Sequence, residues 1–581
     1  MLRLAGAHRA RLGVALVHRR RSAPLHGLAG TLALQPRAPA CARLAQPRAD
    51  VRAEPRAPLI AALERAPARA EVSALRLVAR SAYLAALFAP LVLASPLALL
   101  SARCRRALLR LLVATLSAAG PCAVKLGQWA STRPDLLPRG VCDALSTLHE
   151  GASTHSFAET EAACEEAFGV PARCVFRTLS REPVGSGCIA QVHAATLLDG
   201  RRVAVKVLHP HAARTSALDL ALIRLGVRAI DAAAPLVRGV RFLALRGAAD
   251  NFEEFMLAQL DLRVEASNLE RFARNFALDP VSLVPALLRG VAEGTPDADV
   301  RFPTPVDGLV TRGVLVETYA EGHSLSSLLA APDGAGAGAE HLDERRRRRL
   351  ARAGLRAFLQ MLLVHNFVHA DLHPGNILVA FAPAQPAAGT HRSWGAALRD
   401  GWARAHADAT PAEPRTSLTS AADEHVALTF IDAGLTVELS PADRLNFLRL
   451  FNAIVNGDGR RAGALMLEHA RESDCDDPAA FEGKIEALVQ QTHAARRGEF
   501  TLSRLDVGRV LYDVLSAVRE HRVMIEPNFT TLVSSIAILE GLGRQLDAEL
   551  DLFTLAVPLL AKLAASEAFS LILGRTEAAR D

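Results

Sequence analysis

At 581 residues, half of them hydrophobic and 22% charged, the chain has a globular composition with ample material for a large core, which excludes a disordered or fibrous class. The net charge of +6 comes largely from the N-terminus, so it argues for no nucleic-acid partner. Eight scattered cysteines include no C-x-x-C pair and no metal-ligand spacing, which leaves a reducing compartment or unpaired thiols.

Residues 1–49 carry nine Arg, no Lys and no acid before Asp50, and Pro, Ala and Arg dominate to about residue 70. Such an acid-free, Arg-rich start predicts a mitochondrial transit peptide and linker over 1–70, with a basic tail as the alternative. Residues 81–102 then run without a charge between Arg80 and Arg103. That length predicts a transmembrane or membrane-anchoring segment; a broken buried helix or an interfacial anchor is the alternative. Pro90 and Pro96 lie inside it, tolerable in a membrane helix and costly in a soluble one.

A helical stretch over 105–180 follows, carrying Lys125, Gly127 and Gln128 in K-L-G-Q just after the apolar run Leu108–Leu116. The Lys and Gln offer donors to phosphate or carboxylate, and the Gly permits a close backbone approach. The alternative is a helix ending in a cap near Gly127. Only four of the 67 basic residues are Lys, so Lys125 and Lys206 hint at sites needing a compact ammonium.

From residue 181 to 320 the chain reads as a strand-rich lobe. Two extended runs flank the turn at Asp199-Gly200, a β-hairpin signal. The first holds Gly185-Ser186-Gly187-Cys188 and Val192; the second ends V-A-V-K at Lys206. In that order they predict a glycine-rich loop over ATP phosphates and a strand lysine on the α- and β-phosphates. A helical pattern over Asn251–Ala277 contains Gln259, Asp261 and Glu265, with Glu265 the expected ion-pair partner of Lys206 and Asp261 on the same face. Val314–Thr318 reads as a buried strand leading into the hinge.

Residues 321–575 read as a larger helical lobe. A helix begins near Asp343 and leads into FVHADLHPGNILV, where Asp371 and Asn376 stand five apart between apolar walls. That spacing is the phosphoryl-transfer loop, with Asp371 facing the acceptor and the Asn376 carbonyl on magnesium. Residues 382–424 lack periodicity and read as a disordered insertion. Strand VALTFID then reaches Asp432-Ala433-Gly434, a D-F-G variant whose Asp is the second magnesium ligand. Ser440-Pro441 opens the next helix after only five residues, with no A-P-E, so no peptide-binding activation segment fits.

Taken in order, K-L-G-Q, the hairpin, Q-L-D-L-R-V-E-A-x-N, H-A-D-L-H-P-G-N, D-A-G and E-G-L-G-R-x-L-D closely resemble the UbiB-type, aarF-domain atypical kinase family over about residues 105–560. The Gly-Ser-Gly-Cys loop with Gln259 is similar to a mitochondrial branch of it. The resemblance implies an α+β, two-lobed protein-kinase-like fold with a helical N-terminal extension carrying K-x-G-Q, membrane association, and a link to ubiquinone or lipid metabolism. It also implies that Lys125 and Gln128, with Gln259 and Asp261, form a regulatory element that folds across the cleft and excludes protein substrates. Two departures stand out. Gly-Ser-Gly-Cys replaces the family's Ala-rich loop, which bears on nucleotide preference, and Gln259 replaces a carboxylate that would meet the K-x-G-Q helix.

The expected function is an atypical kinase or ATPase using ATP and Mg2+ on a non-protein substrate. Its expected partners are mitochondrial membrane lipid and ubiquinone-biosynthesis or lipid-metabolism proteins. The alternative is a nucleotide-binding pseudokinase serving as scaffold or chaperone for lipid-modifying enzymes. An antibiotic-type small-molecule kinase shares Asp371 and Asn376 but leaves K-L-G-Q and the N-terminus unaccounted for.

Overall fold

The computed structural model describes residues 73–131, 137–149, 154–233, 245–277, 299–330, 342–383, 424–470, 472–473, 475–497, 507–524, 527–547 and isolated positions to 559. The chain divides into the units Met1–Gln46 and Pro47–Asp581, and every described residue lies in the second. The expected transit segment 1–70 and most of the insertion 382–424 fall outside the described residues.

The described residues open with α1 (Ala74–Ala94), a 3-10 turn Ser95–Leu99, α2 (Ala102–Ala119), α3 (Pro121–Ser131) and α4 (Arg139–Leu145). The charge-free interval 81–102 is therefore not one helix. It ends in a turn at Pro96, and Ser101 caps α2 by accepting from the Cys104 amide. α2 returns along α1, so that Tyr83 Oη donates to the Ala118 carbonyl at 3.1 Å. K-L-G-Q lies in the middle of α3, and Gly127 is not a helix cap. A Cβ there would stand 2.3 Å from Leu148 Cδ1, so the glycine lets α3 sit down on Leu116, Leu145 and Leu148.

α5 (Phe157–Phe168) is set by a Ser156/Glu159 capping box and a left-handed Gly169. It packs on an antiparallel sheet of β1 (Phe176–Leu179), β2 (Gly185–Ser186), β3 (Ala190–Leu197) and β4 (Arg202–Leu208), extended by β6 (Pro305–Val310) and β7 (Val314–Thr318). The sheet thus begins at Phe176, inside the stretch read as helical. Its outer face is a small core of Val203, Val205, Val207, Val314 and Val316 under α5. Alternation sends the other face, with Val192, Ala204 and Lys206, into a cleft.

α6 (Ala212–Ala233), α7 (Leu245–Gln259) and α8 (Leu262–Ala277) connect β4 to the rest. The pattern read as one helix over Asn251–Ala277 is two, broken at Leu260-Asp261. Asp261 accepts from the Arg263 amide and binds its guanidinium at 2.9 and 2.6 Å, a local arrangement that competes with continuing the helix.

The larger lobe has β5 (Asp299–Arg301), β8 (His323–Ser324), α9 (Leu325–Ala330), α10 (Glu344–Leu359), β9 (Val368–His369), β10 (Ile377–Pro383), β11 (Glu424–Phe430) and β12 (Thr436–Val437). It continues with α11 (Pro441–Val455), α12 (Gly459–Glu468), β13 (Glu472–Ser473), α13 (Pro478–Arg497), α14 (Val507–Glu520), β14 (Val523–Met524) and α15 (Pro527–Leu546). Asp343 caps α10 and Ser440 caps α11 with Pro441 at its first position. α10 ends in a π turn, Gln360–Val364, before the loop. Beneath the loop Phe272 stacks on Phe302 with centroids 4.9 Å apart and tilts onto Phe367 at 4.6 Å, tying α8 to the larger lobe. The result is the two-lobed α+β kinase-like fold with a helical N-terminal extension.

Candidate functional site

Between the lobes lies a cavity of about 1180 Å³, lined from above by Gly185–Cys188, Val192 and Lys206 and from below by Asp371, Asn376 and Asp432. Lys206 is its electrostatic centre. Its Nζ stands 2.8 Å from Glu265 Oε1 and 2.8 Å from Asp432 Oδ1, joining β4, α8 and the turn after β11. Burial works against the ammonium charge, but Asp432 and Glu265 outweigh it and raise the lysine pKa. Burial likewise opposes ionisation of Asp432, yet Lys206, then Lys125, hold its carboxyl well below the usual range. Glu265 is pushed the other way, up, by burial with Asp432 adding to it, against the pull of Lys206. Asp432 sits at φ 59°, a left-handed conformation that costs a non-glycine residue energy and is found at functional turns.

The loop after β9 is fixed from both sides. His369 is fully buried; its Nε2 donates to the Ile431 carbonyl at 3.1 Å while Nδ1 accepts from the Asp371 amide at 3.3 Å. Burial lowers its pKa, consistent with this neutral tautomer. Asn376 Nδ2 donates to the Asp371 carbonyl at 3.0 Å, which leaves its amide oxygen as an acceptor beside Asp432 and Asp371. Oxygen donors of this kind suit a hard divalent cation such as Mg2+. In the loop above, Ser186 Oγ is buried without a partner among the described residues, as a hydroxyl awaiting an acceptor would be. The residues present therefore fit a magnesium nucleotide.

The K-x-G-Q residues reach the same cavity. Lys125 and Gln128 line it from α3; Lys125 Nζ lies 6.0 Å over the Phe255 ring, and Gln128 Nε2 donates to the Leu148 carbonyl at 3.0 Å. Gln259 lines it from the end of α7. Asp261 borders it too but is 2% exposed and engaged by Arg263, so its carboxylate is committed locally.

Three features have no role assigned from the sequence. Asn268, the last residue of Q-L-D-L-R-V-E-A-x-N, donates to the Ala433 carbonyl at 2.8 Å and pins α8 to the D-A-G turn. Behind the glycine-rich loop His155 Nδ1 meets His209 Nδ1 at 2.7 Å and His209 Nε2 donates to the Gly187 carbonyl at 2.8 Å, while the Thr160 hydroxyl links His155 to His193 at 3.0 and 3.2 Å. Glu317, next to last in β7, faces the cavity, a lone acid after the apolar Val314–Val316.

Comparison with known proteins gives a consistent result. Residues 147–466 match the ABC1 atypical kinase-like domain and residues 496–551 the UbiB helical domain. A Dictyostelium discoideum probable serine/threonine-protein kinase, abkC, is 33% identical over 489 residues, covering 79% of this chain and 65% of that protein. The Saccharomyces cerevisiae ABC1 family protein YPL109C, mitochondrial, is 33% identical over 476 residues, covering 78% and 67%. A probable protein kinase UbiB of Cellvibrio japonicus is 27% identical over 448 residues, covering 76% and 66%. The chain thus spans about two thirds of each relative's length.

Proposed function

The chain belongs to the ABC1/UbiB family of atypical kinase-like proteins, and on that footing we propose that it binds Mg-ATP and works as a phosphotransferase or ATPase on a non-protein substrate. One observation carries this reading: Lys206 bridges Glu265 and Asp432 inside a cavity that also contains Gly185–Gly187, Asp371 and Asn376. In it Lys206, positioned by Glu265, holds the α- and β-phosphates, and the Gly185–Cys188 loop with Val192 covers them. Asp371 orients the acceptor hydroxyl or a water and takes up its proton. Asp432 and Asn376 would hold magnesium, which neutralises charge on the transferring phosphoryl group. A small or lipid-like acceptor is supported by what borders the cleft. β12 pairs with β9 only two residues after Gly434, leaving no peptide platform, and α3 brings Lys125 and Gln128 to the cavity wall.

The proposed location is a mitochondrial membrane, supported by the yeast relative's name and by the α1–α2 hairpin. Ala74–Ala98 is long and apolar enough to cross a bilayer, and Leu93 near its end and Leu100 just beyond it are 80% and 73% exposed. Arg103, Arg105 and Arg106 follow at once, suited to anionic headgroups. Partners of this reading are membrane lipid and proteins of ubiquinone biosynthesis or lipid metabolism.

The test is a thermal shift of the full-length protein with ATP and Mg2+, beside Asp432→Ala. Ligand at about 100 times its dissociation constant stabilises by about 2.7 kcal/mol. A magnesium-dependent shift that vanishes in the variant is expected; no shift with any nucleotide would end this reading. Binding without turnover in lipid vesicles would favour the nucleotide-sensing scaffold instead.

A further inference from the structure

Ala204, on β4, pairs with Glu317, on β7, and Lys206 pairs with Leu315. Paired residues on antiparallel strands share a face, so Glu317 projects into the cleft on the same side as Lys206, two positions (about 7 Å) further toward the hinge at Thr318-Tyr319. The phosphate-binding residues occupy the Lys206 end. Glu317, with Val192, Ala204 and Leu378 lining the same cavity, occupies the end where a base would lie. Its side chain is almost fully enclosed, and Oε2 has no hydrogen-bond partner among the described residues. A buried carboxyl aimed into a cavity and left unsatisfied is costly unless a ligand completes it.

Resting on the nucleotide reading above, we propose that the Glu317 carboxyl reads the base, selecting adenine over guanine by donating to N7 and accepting from the N6 amino group. Adenine presents an acceptor beside a donor on that edge, whereas guanine presents two acceptors. A protonated carboxyl offers one donor and one acceptor and so matches adenine alone. The surroundings favour that form: burial, then the Glu265 charge, push Glu317 up to about 8, with Lys206 opposing and Asp432 adding to the rise. Lys206 is already shared by two carboxylates, and a third charge beside them would go unbalanced.

The experiment compares ATP and GTP affinities of the full-length protein, Glu317→Gln and Glu317→Leu at pH 7, by displacement of a fluorescent nucleotide. Wild type is expected to prefer ATP by about tenfold or more, the scale of one two-point base contact. Glu317→Gln, whose amide keeps a donor and an acceptor, retains the preference. Glu317→Leu brings the two affinities within about threefold of each other by weakening ATP. Raising the pH from 7 to 9 weakens ATP binding to wild type and leaves Glu317→Gln unchanged. Glu317→Leu removes a buried acid, so its nucleotide-free melting temperature is expected to hold and confirms that the variant folds. A preference that survives in Glu317→Leu, or is missing from wild type, overturns the proposal. If wild type binds neither nucleotide, the nucleotide reading itself fails and this inference goes with it.

Discussion

Arg80 of α1 grips Asp219 of α6 through two hydrogen bonds, 2.7 and 2.9 Å, and gives a third at 2.6 Å to the Ala119 carbonyl that ends α2. α1 buries no residue fully, so this clamp, with Tyr83 and Phe88, is what ties α1 to α2 and α6. Arg80→Ala leaves Asp219 buried and unpaired. The expected cost is about 3 kcal/mol, the scale for breaking a buried pair from one side. Limited proteolysis should then cut near α1 while nucleotide affinity stays the same; unchanged protection would show that the clamp contributes nothing.

Lys206→Met removes the cation that bridges Glu265 and Asp432 and leaves only the more distant Lys125 charge. Two enclosed carboxylates relieve their repulsion by taking up a proton. The variant should therefore lose more stability at pH 8 than at pH 5.5, by about 1 kcal/mol or more. Denaturant titrations at the two pH values measure this, and equal losses would count against the bridge.

Gly127→Ala and Gly354→Ala form a matched pair. Both glycines lie within helices, where alanine is worth about 1 kcal/mol. A Cβ at Gly354 meets nothing within 4 Å, and that variant should melt higher. At Gly127 it meets Leu148 Cδ1 at 2.3 Å, and overpacking of about 1–3 kcal/mol should cancel or exceed the gain. If both variants melt higher, the tight seat of α3 is not real.

His155 is held down to about 4, first by burial and then by His209, with His193 adding to it. Between an unfolded value near 6.5 and that folded value the unfolded chain binds a proton that the native state refuses, so stability falls as pH drops through this window. Because the ring is partly exposed, we expect about 1 kcal/mol of it between pH 7 and pH 5. Glu265, raised in the folded state, changes stability in the opposite sense. The informative quantity is therefore the difference between wild type and His155→Gln, whose slope should be shallower; identical slopes would remove His155 from the account.

Local chemistry wrote much of this protein into its sequence. The hairpin spacing, the Asp343 and Ser440 caps and the apolar walls of the Asp371 loop each depend on neighbours within a few residues, and each was readable there. What depends on distant partners was not. The break at Leu260-Asp261 is held from a distance by Arg312, whose carbonyl accepts from the Leu262 amide at 3.0 Å, and a cap at Gly127 is ruled out only by Leu148 lying against it. The seat of α1 on α6 depends in the same way on Arg80 finding Asp219, 139 residues away. Glu317 likewise reads as one acid near the end of an apolar strand. Strand pairing alone decides that it faces the cleft, because a shift of one residue would have sent it into the valine core on the sheet's other side.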